Sequence, residues 1–137
     1  MYVYGTVNPV GENETHQGVY LTKNDIDHIV STKQMYEKPV LLEHKGEPIG
    51  KVVSAWKTQD RLDCVFEIND SVSGLFAQYF VQHGKTPELS LGYSVEVEHS
   101  ADGGIKAGAK KVMEVSIVKK GARENCLIRG ISERKPL

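Results

Sequence analysis

No stretch of this sequence approaches the roughly 18 apolar residues in a row that a membrane-spanning helix needs, so a bilayer-crossing helix is excluded. Its start, Met1-Tyr2-Val3-Tyr4-Gly5, has neither the basic flank nor the long apolar stretch of a secretory leader, and the expected location is inside a cell. Cysteine is scarce. Cys64 and Cys126 are the two in the chain, with no Cys-x-x-Cys or Cys/His ligand spacing, which argues against a zinc site and for a reducing compartment. An excess of either charge is also missing: the formal net charge is −1, so nothing points to nucleic acid or to an anionic membrane as a partner. There is no repeat, linker or low-complexity tract. What remains is 137 residues, 39% hydrophobic and 26% charged, the make-up of one globular domain with a single core.

Met1 to Val10 alternates weakly and reads as a first strand ending in a Pro-Val-Gly turn, followed by a polar loop from Gly11 to Gly18. Thr22-Lys23-Asn24-Asp25 is a capping box, and Ile26, Ile29 and Val30 follow at one-face spacing, predicting a helix to about Gln34. Pro39 to His44 is strand-like. Ile49 to Trp56 and Arg61 to Ile68 form a hairpin around Thr58-Gln59-Asp60, with Cys64 on one face with Leu62, Phe66 and Ile68 and hence in the core. Asn69, Asp70 or Ser71 caps a second helix. Its Val72, Leu75, Phe76, Tyr79 and Phe80 recur at helical spacing and are assigned to the core, and Gly84 ends it. Glu88 to Glu98 is the most regular strand, with Leu89, Leu91, Tyr93, Val95 and Val97 on one face and Ser90, Gly92, Ser94 and Glu96 on the other. Ala101 to Gly104 is a turn, Val112 to Val118 a strand, and Leu127 to Ile131 a last one. Six or seven short strands with two or more flanking helices predict an α+β, mainly β fold: a compact, closed or strongly curved antiparallel β-barrel carrying helices outside.

Three stretches carry side chains fit for chemistry: "LLEHKGEPIGKV", "ELSLGYSV" and "MEVSIVKKGA". They contribute His44, Ser90 and Glu114, the residue types of a serine hydrolase triad. Serine alone is a poor nucleophile near neutral pH and needs an imidazole to take its proton, with a carboxylate to hold the imidazole's tautomer. Ser90 lies on the polar face of its strand, and Gly92 leaves that face open for a substrate backbone. Glu114 interrupts an apolar strand on the face of Val112, Ser116 and Val118, so its carboxylate wants a partner. Taken singly, Ser90 reads first as a solvent-facing serine and His44 as a structural turn histidine, while Glu114 reads equally as a rim glutamate paired with a lysine. The other histidines compete poorly. His99 is nine residues along Ser90's own strand, His83 closes a helix, His16 lies in the early loop, and His28 with Asp25 falls short of a metal site.

In order along the chain, His44 with Pro48-Ile49-Gly50-Lys51-Val52, then Leu89-Ser90-Leu91-Gly92-Tyr93, then Met113-Glu114-Val115-Ser116-Ile117-Val118 resemble the tailed-phage prohead proteases. That family is related in fold to assemblin, the herpesvirus capsid maturation protease. The resemblance covers residues 39 to about 118 and implies a single protease domain over residues 1–137. It implies a serine endopeptidase that cleaves scaffold and capsid-associated proteins, and itself, inside an immature capsid. By position, Ser90 is then the nucleophile, His44 the base and Glu114 the third member, where assemblins use a second histidine. Lys119-Lys120-Gly121-Ala122-Arg123 occupies the place of the assemblin oxyanion loop, which makes the Gly121 amide and Arg123 its transition-state support. A homodimer is expected, with no cofactor and no metal. The setting is the bacterial cytoplasm for a phage and the host nucleus for a herpes-like virus.

Two other readings stay open on the residues themselves. One is a non-enzymatic β-barrel module that binds a peptide or packs in an assembly. The other is a cysteine hydrolase built on Cys126 and a histidine.

Overall fold

The computed structural model describes residues 1–9, 20–59 and 61–134. The polar loop with His16 and the turn residue Asp60 lie outside the described residues. The chain runs β1 (Tyr2–Asn8), α1 (Lys23–Ser31), β2 (Pro39–Leu42), β3 (Lys45–Thr58), β4 (Arg61–Ile68), α2 (Val72–Gln82), β5 (Glu88–His99), β6 (Ile105–Val118) and β7 (Ile128–Ser132). Local signals account for the element ends. Thr22 caps α1 by accepting from the Asp25 amide at 3.1 Å, while Asp25 accepts from the Thr22 amide at 2.9 Å. Ser71 caps α2, and Gly84 leaves it at φ +66°.

Seven strands form one sheet in the order β5-β6-β2-β3-β4-β1-β7. Each neighbouring pair is antiparallel except β2 with β6, which run parallel with Leu41 opposite Ser116. The expected closed or strongly curved antiparallel barrel is therefore corrected to an open, mixed sheet. Curvature brings its edges together at one end only. There Glu88 bridges Leu127, and the Leu89 amide donates to the Cys126 carbonyl at 2.7 Å. Gly5 permits this approach, since a Cβ there would lie 2.6 Å from both the Leu127 carbonyl oxygen and Leu89 Cδ1. A barrel requires edge strands that pair along their length, and β7 is only five residues long.

One apolar cluster forms the core, with Val3, Val7, Leu62, Cys64, Phe66, Ile68, Leu89, Leu91, Val115 and Ile117 all buried. Helix α1 adds Ile26 and Ile29, and α2 adds Ala77 and Val81. The helical spacing of α2 is real, yet its large side chains face outward. Val72, Leu75, Phe76 and Tyr79 are exposed, Phe76 to 60%, while Gly74, Ala77 and Val81 are buried. The assignment of that stripe to the core is thus corrected. The small residues let the helix axis approach β3 and β4 closely, and Gly74 has no room for a Cβ beside the Asn69 carbonyl.

Candidate active site

Residue pattern and pairing register bring the site together. Ser90 and Leu89 alternate across β5, so Leu89 and Leu91 pack on Ile117 and Val115 in the core while Ser90 points to the other face. Ser90 is directly opposite Ser116 on β6, and Gly92 is opposite Glu114. Directly opposed residues share a face, so Ser90, Glu114 and Ser116 lie on one side of the sheet. Ser90 and Glu114 stand on the diagonal of this pair, where separations are roughly 7–8 Å. A register shift between Gly92 and Tyr93 then uncouples Val112 from Glu114: Val112 is buried in the core and Met113 exposed. Such a bulge re-aims the strand beside it.

His44 arrives from the parallel neighbour. Leu42 pairs with Lys45, leaving Glu43 and His44 as a two-residue turn with φ values of 54° and 62°. Both lie in the left-handed region, which turns of this type demand and which Asn-Gly fills most cheaply. Here Glu and His hold it, at a strain of order 1 kcal/mol each. The end of β6 opposes that strain: the Glu43 amide donates to the Ile117 carbonyl at 3.0 Å, the Lys119 amide to Glu43 Oε1 at 2.7 Å, and the His44 amide to Ser116 Oγ at 3.2 Å. Strained backbone held by its surroundings is a common signature of working sites.

The imidazole so placed has its Nδ1 2.8 Å from Glu114 Oε1. The His44 side chain is 47% exposed and that of Glu114 15%. In the tautomer with Nδ1–H donating to the carboxylate, Nε2 keeps its lone pair and is free to accept a proton. The second oxygen, Oε2, accepts from Ser116 Oγ at 2.7 Å. The space above Gly92, expected to admit substrate, is filled by this carboxylate: a Cβ on Gly92 would collide with Glu114 Oε1. Ser90 itself is buried, at 5% exposure.

The loop after β6 lies against the start of β5. Gly121 approaches Leu89, with a Cβ there only 2.8 Å from the Leu89 carbonyl oxygen. Its amide, expected to be an oxyanion donor, donates to Glu88 Oε1 at 2.8 Å. Arg123 is buried, its guanidinium carbon 5.1 Å from the centre of the Tyr93 ring, and its Nε has no partner among the described residues. With Glu88, Lys120 and Leu127, these residues line an open groove of about 500 Å³. The remaining histidines are elsewhere: His83 bonds the Tyr79 carbonyl and stacks on its ring, and His99 pairs with Ile105 at the far end of β5. Cys126 is buried, and burial, with Glu88 nearby, pushes its thiol up to about 12 against the opposing pull of Arg123 and Arg129. A thiol so raised supplies almost no thiolate near neutral pH.

Ser116 and Glu88 are the site residues that sequence reasoning misses. A signal for Ser116 exists, because it lies two residues from Glu114 and period-two alternation puts both on one face. Glu88 gives none, since its partner is a main-chain amide 33 residues away.

No family model and no curated protein matches the chain. Solved structures do. The protease of Kaposi's sarcoma-associated herpesvirus in complex with a hexapeptide phosphonate inhibitor aligns at TM-score 0.63 and 17% identity, covering 93% of this chain and 63% of that one. The same fold recurs in that protease bound to an allosteric inhibitor, at TM-score 0.57, 17% identity and 93% and 75% coverage. A complex with a dimer disruptor aligns at TM-score 0.53, 17% identity and 93% and 73% coverage. This chain has the herpesvirus protease fold. Assemblin-like architecture thus accounts for nearly all of it, while the chain spans about 63% of the first of those structures. Among the described residues, no helix is long and apolar enough to cross a membrane.

Proposed function

We propose that the chain is a serine endopeptidase of procapsid maturation, cleaving scaffold and capsid-associated proteins and itself inside the immature viral capsid. The observation that carries this reading is the His44 Nδ1–Glu114 Oε1 bond of 2.8 Å, made on the face and in the register of Ser90. The herpesvirus protease fold, with a neighbour held by a hexapeptide phosphonate inhibitor, supports peptide as the substrate class. In the reaction, Ser90 Oγ attacks the scissile carbonyl as its proton passes to His44 Nε2. Glu114 holds the imidazole and stabilises the imidazolium. The tetrahedral intermediate collapses when that proton reaches the leaving amine, and water then releases the acyl group by the same steps. Gly121 and Arg123 support the oxyanion, the Gly121 amide after Glu88 has given it up.

The neighbours bound to dimer disruptors support a homodimer as the working form. One specific observation favours a non-enzymatic peptide-binding or assembly module instead: the burial of Ser90. A fluorophosphonate probe separates the two. Mass spectrometry is expected to find the probe on Ser90, and Ser90→Ala is expected to lower scaffold cleavage by roughly 10³-fold or more with folding intact. An unlabelled wild-type chain that cleaves nothing rejects the protease, and cleavage that persists in Ser90→Ala rejects Ser90 as its nucleophile.

A further inference from the structure

We propose that Ser116 is the positioning residue of this site, its one hydroxyl fixing both the carboxylate and the backbone that carries the base. The proposal rests on the reading of Ser90, His44 and Glu114 as a catalytic group. Ser116 is wholly buried, and its hydroxyl is used in both directions. It donates to Glu114 Oε2 at 2.7 Å and accepts from the His44 main-chain amide at 3.2 Å.

A glutamate side chain has three rotatable torsions, and one imidazole bond leaves its carboxyl group free to pivot. The second bond removes that freedom and turns Oε1 toward Nδ1. The other half of the arrangement acts on the strained turn, where both Glu43 and His44 have positive φ. The His44 amide has its partner on β6 in the Ser116 hydroxyl, so the imidazole hangs from a backbone tied to the strand that carries Glu114. Ser116 is also the residue opposite Ser90, and one strand spacing, about 4.8 Å, therefore sets how far the nucleophile stands from this anchor. With its O–H directed at Glu114 and no exposure to solvent, Ser116 is poorly suited to attack substrate itself.

The test compares Ser116→Ala, Ser116→Cys and Ser116→Thr in the full chain. Cysteine nearly preserves the size but donates weakly, and threonine keeps the hydroxyl. Ser116→Ala and Ser116→Cys are expected to lower kcat roughly 10- to 100-fold, the effect of losing one hydrogen bond to a charged group, with KM within about twofold. Ser116→Thr is expected to recover most of that loss. The probe stays on Ser90 in every variant that retains it, more slowly in the first two. A readout independent of turnover is the far-downfield proton resonance of His44 Nδ1–H in a Ser90→Ala background. It is expected to persist with Ser116 intact and in Ser116→Thr, and to broaden or vanish in Ser116→Ala and Ser116→Cys. An unchanged kcat and resonance in Ser116→Ala overturns the proposal, as does an equal loss in Ser116→Thr with the resonance intact. If the wild-type chain neither cleaves nor labels, the protease reading fails, while the resonance still reports whether Ser116 fixes the pair.

Discussion

At the scale of single residues, the site depends on glycine as much as on its polar groups. Gly92 faces Glu114 across β5 and β6, and its missing Cβ is the space the carboxylate uses to reach His44. Gly92→Ala is expected to lower kcat roughly 10- to 100-fold by turning the carboxylate away. The obstructing atom ends a flexible side chain, so thermal unfolding is expected to shift little. Retained activity in Gly92→Ala would show that the pair tolerates another geometry. Alternation along β5 places Gly92 correctly beside the serine but not what fills the gap, because cross-strand register is invisible within one strand. The burial of Cys126 also counts against the cysteine alternative, since it raises the thiol and shields it from substrate.

At the scale of elements, the two helices make a contrast. The capping box of α1 is legible in the sequence because it is local, a span of four residues carrying both bonds. What the box adds through tertiary structure is Lys110, whose ammonium lies 2.8 Å from Asp25 Oδ2. Burial raises the Asp25 carboxyl, but Lys110 and the Thr22 bonds outweigh it and hold it below its ordinary value. A carboxyl depressed by folding stabilises the protein above its unfolded value and loses that contribution as pH falls through the folded one. Urea unfolding of wild type against Asp25→Asn is expected to show a gap at neutral pH that closes as the medium is acidified below the usual carboxylate range. A gap that widens in acid would reverse the sign. In α2 the buried face is the opposite of the one the spacing suggests, with a testable consequence for stability. Ala77→Leu, at a position with no exposure, is expected to destabilise by about 1–3 kcal/mol. Phe76→Ser is expected to stay within about 0.5 kcal/mol when both variants are compared as monomers, as an exposed substitution does. Denaturant midpoints rank the two directly.

At the scale of the whole molecule, α2 presents Val72, Leu75, Phe76 and Tyr79 as one apolar patch with Phe80. Patches of this kind mark interaction surfaces more often than accident. Taken with the proposed homodimer, the double substitution Leu75→Glu with Phe76→Glu is expected to move the chain from dimer to monomer in light scattering, leaving its circular dichroism unchanged. A wild-type chain that is monomeric at all concentrations would reject the homodimer, and a dimer untouched by the change would place the contact elsewhere. The shape of the sheet also belongs to this scale. Edges that meet only around Glu88 and Leu127 leave the groove under Gly121 and Arg123 open, beside the strand that carries Ser90.

Although β3 and β6 begin at Lys45 and Ile105, ahead of the expected Ile49 and Val112, most strand and helix positions followed from alternation, capping and turn chemistry, each decided within a few residues. So did the candidacy of His44, Ser90 and Glu114, because nucleophile, base and carboxylate are residue types that chemistry requires together. Other features came from contacts between distant parts of the chain. The parallel pairing of Leu41 with Ser116 joins segments far apart in sequence, and no local pattern encodes which strand lies next to which. That pairing lets a strained turn hand its imidazole to Glu114 and its amide to Ser116. Likewise, the outward face of α2 was settled by how closely a helix with Gly74 and Ala77 settles on the sheet. Helical period reveals that a stripe exists, and only packing decides whether it is covered.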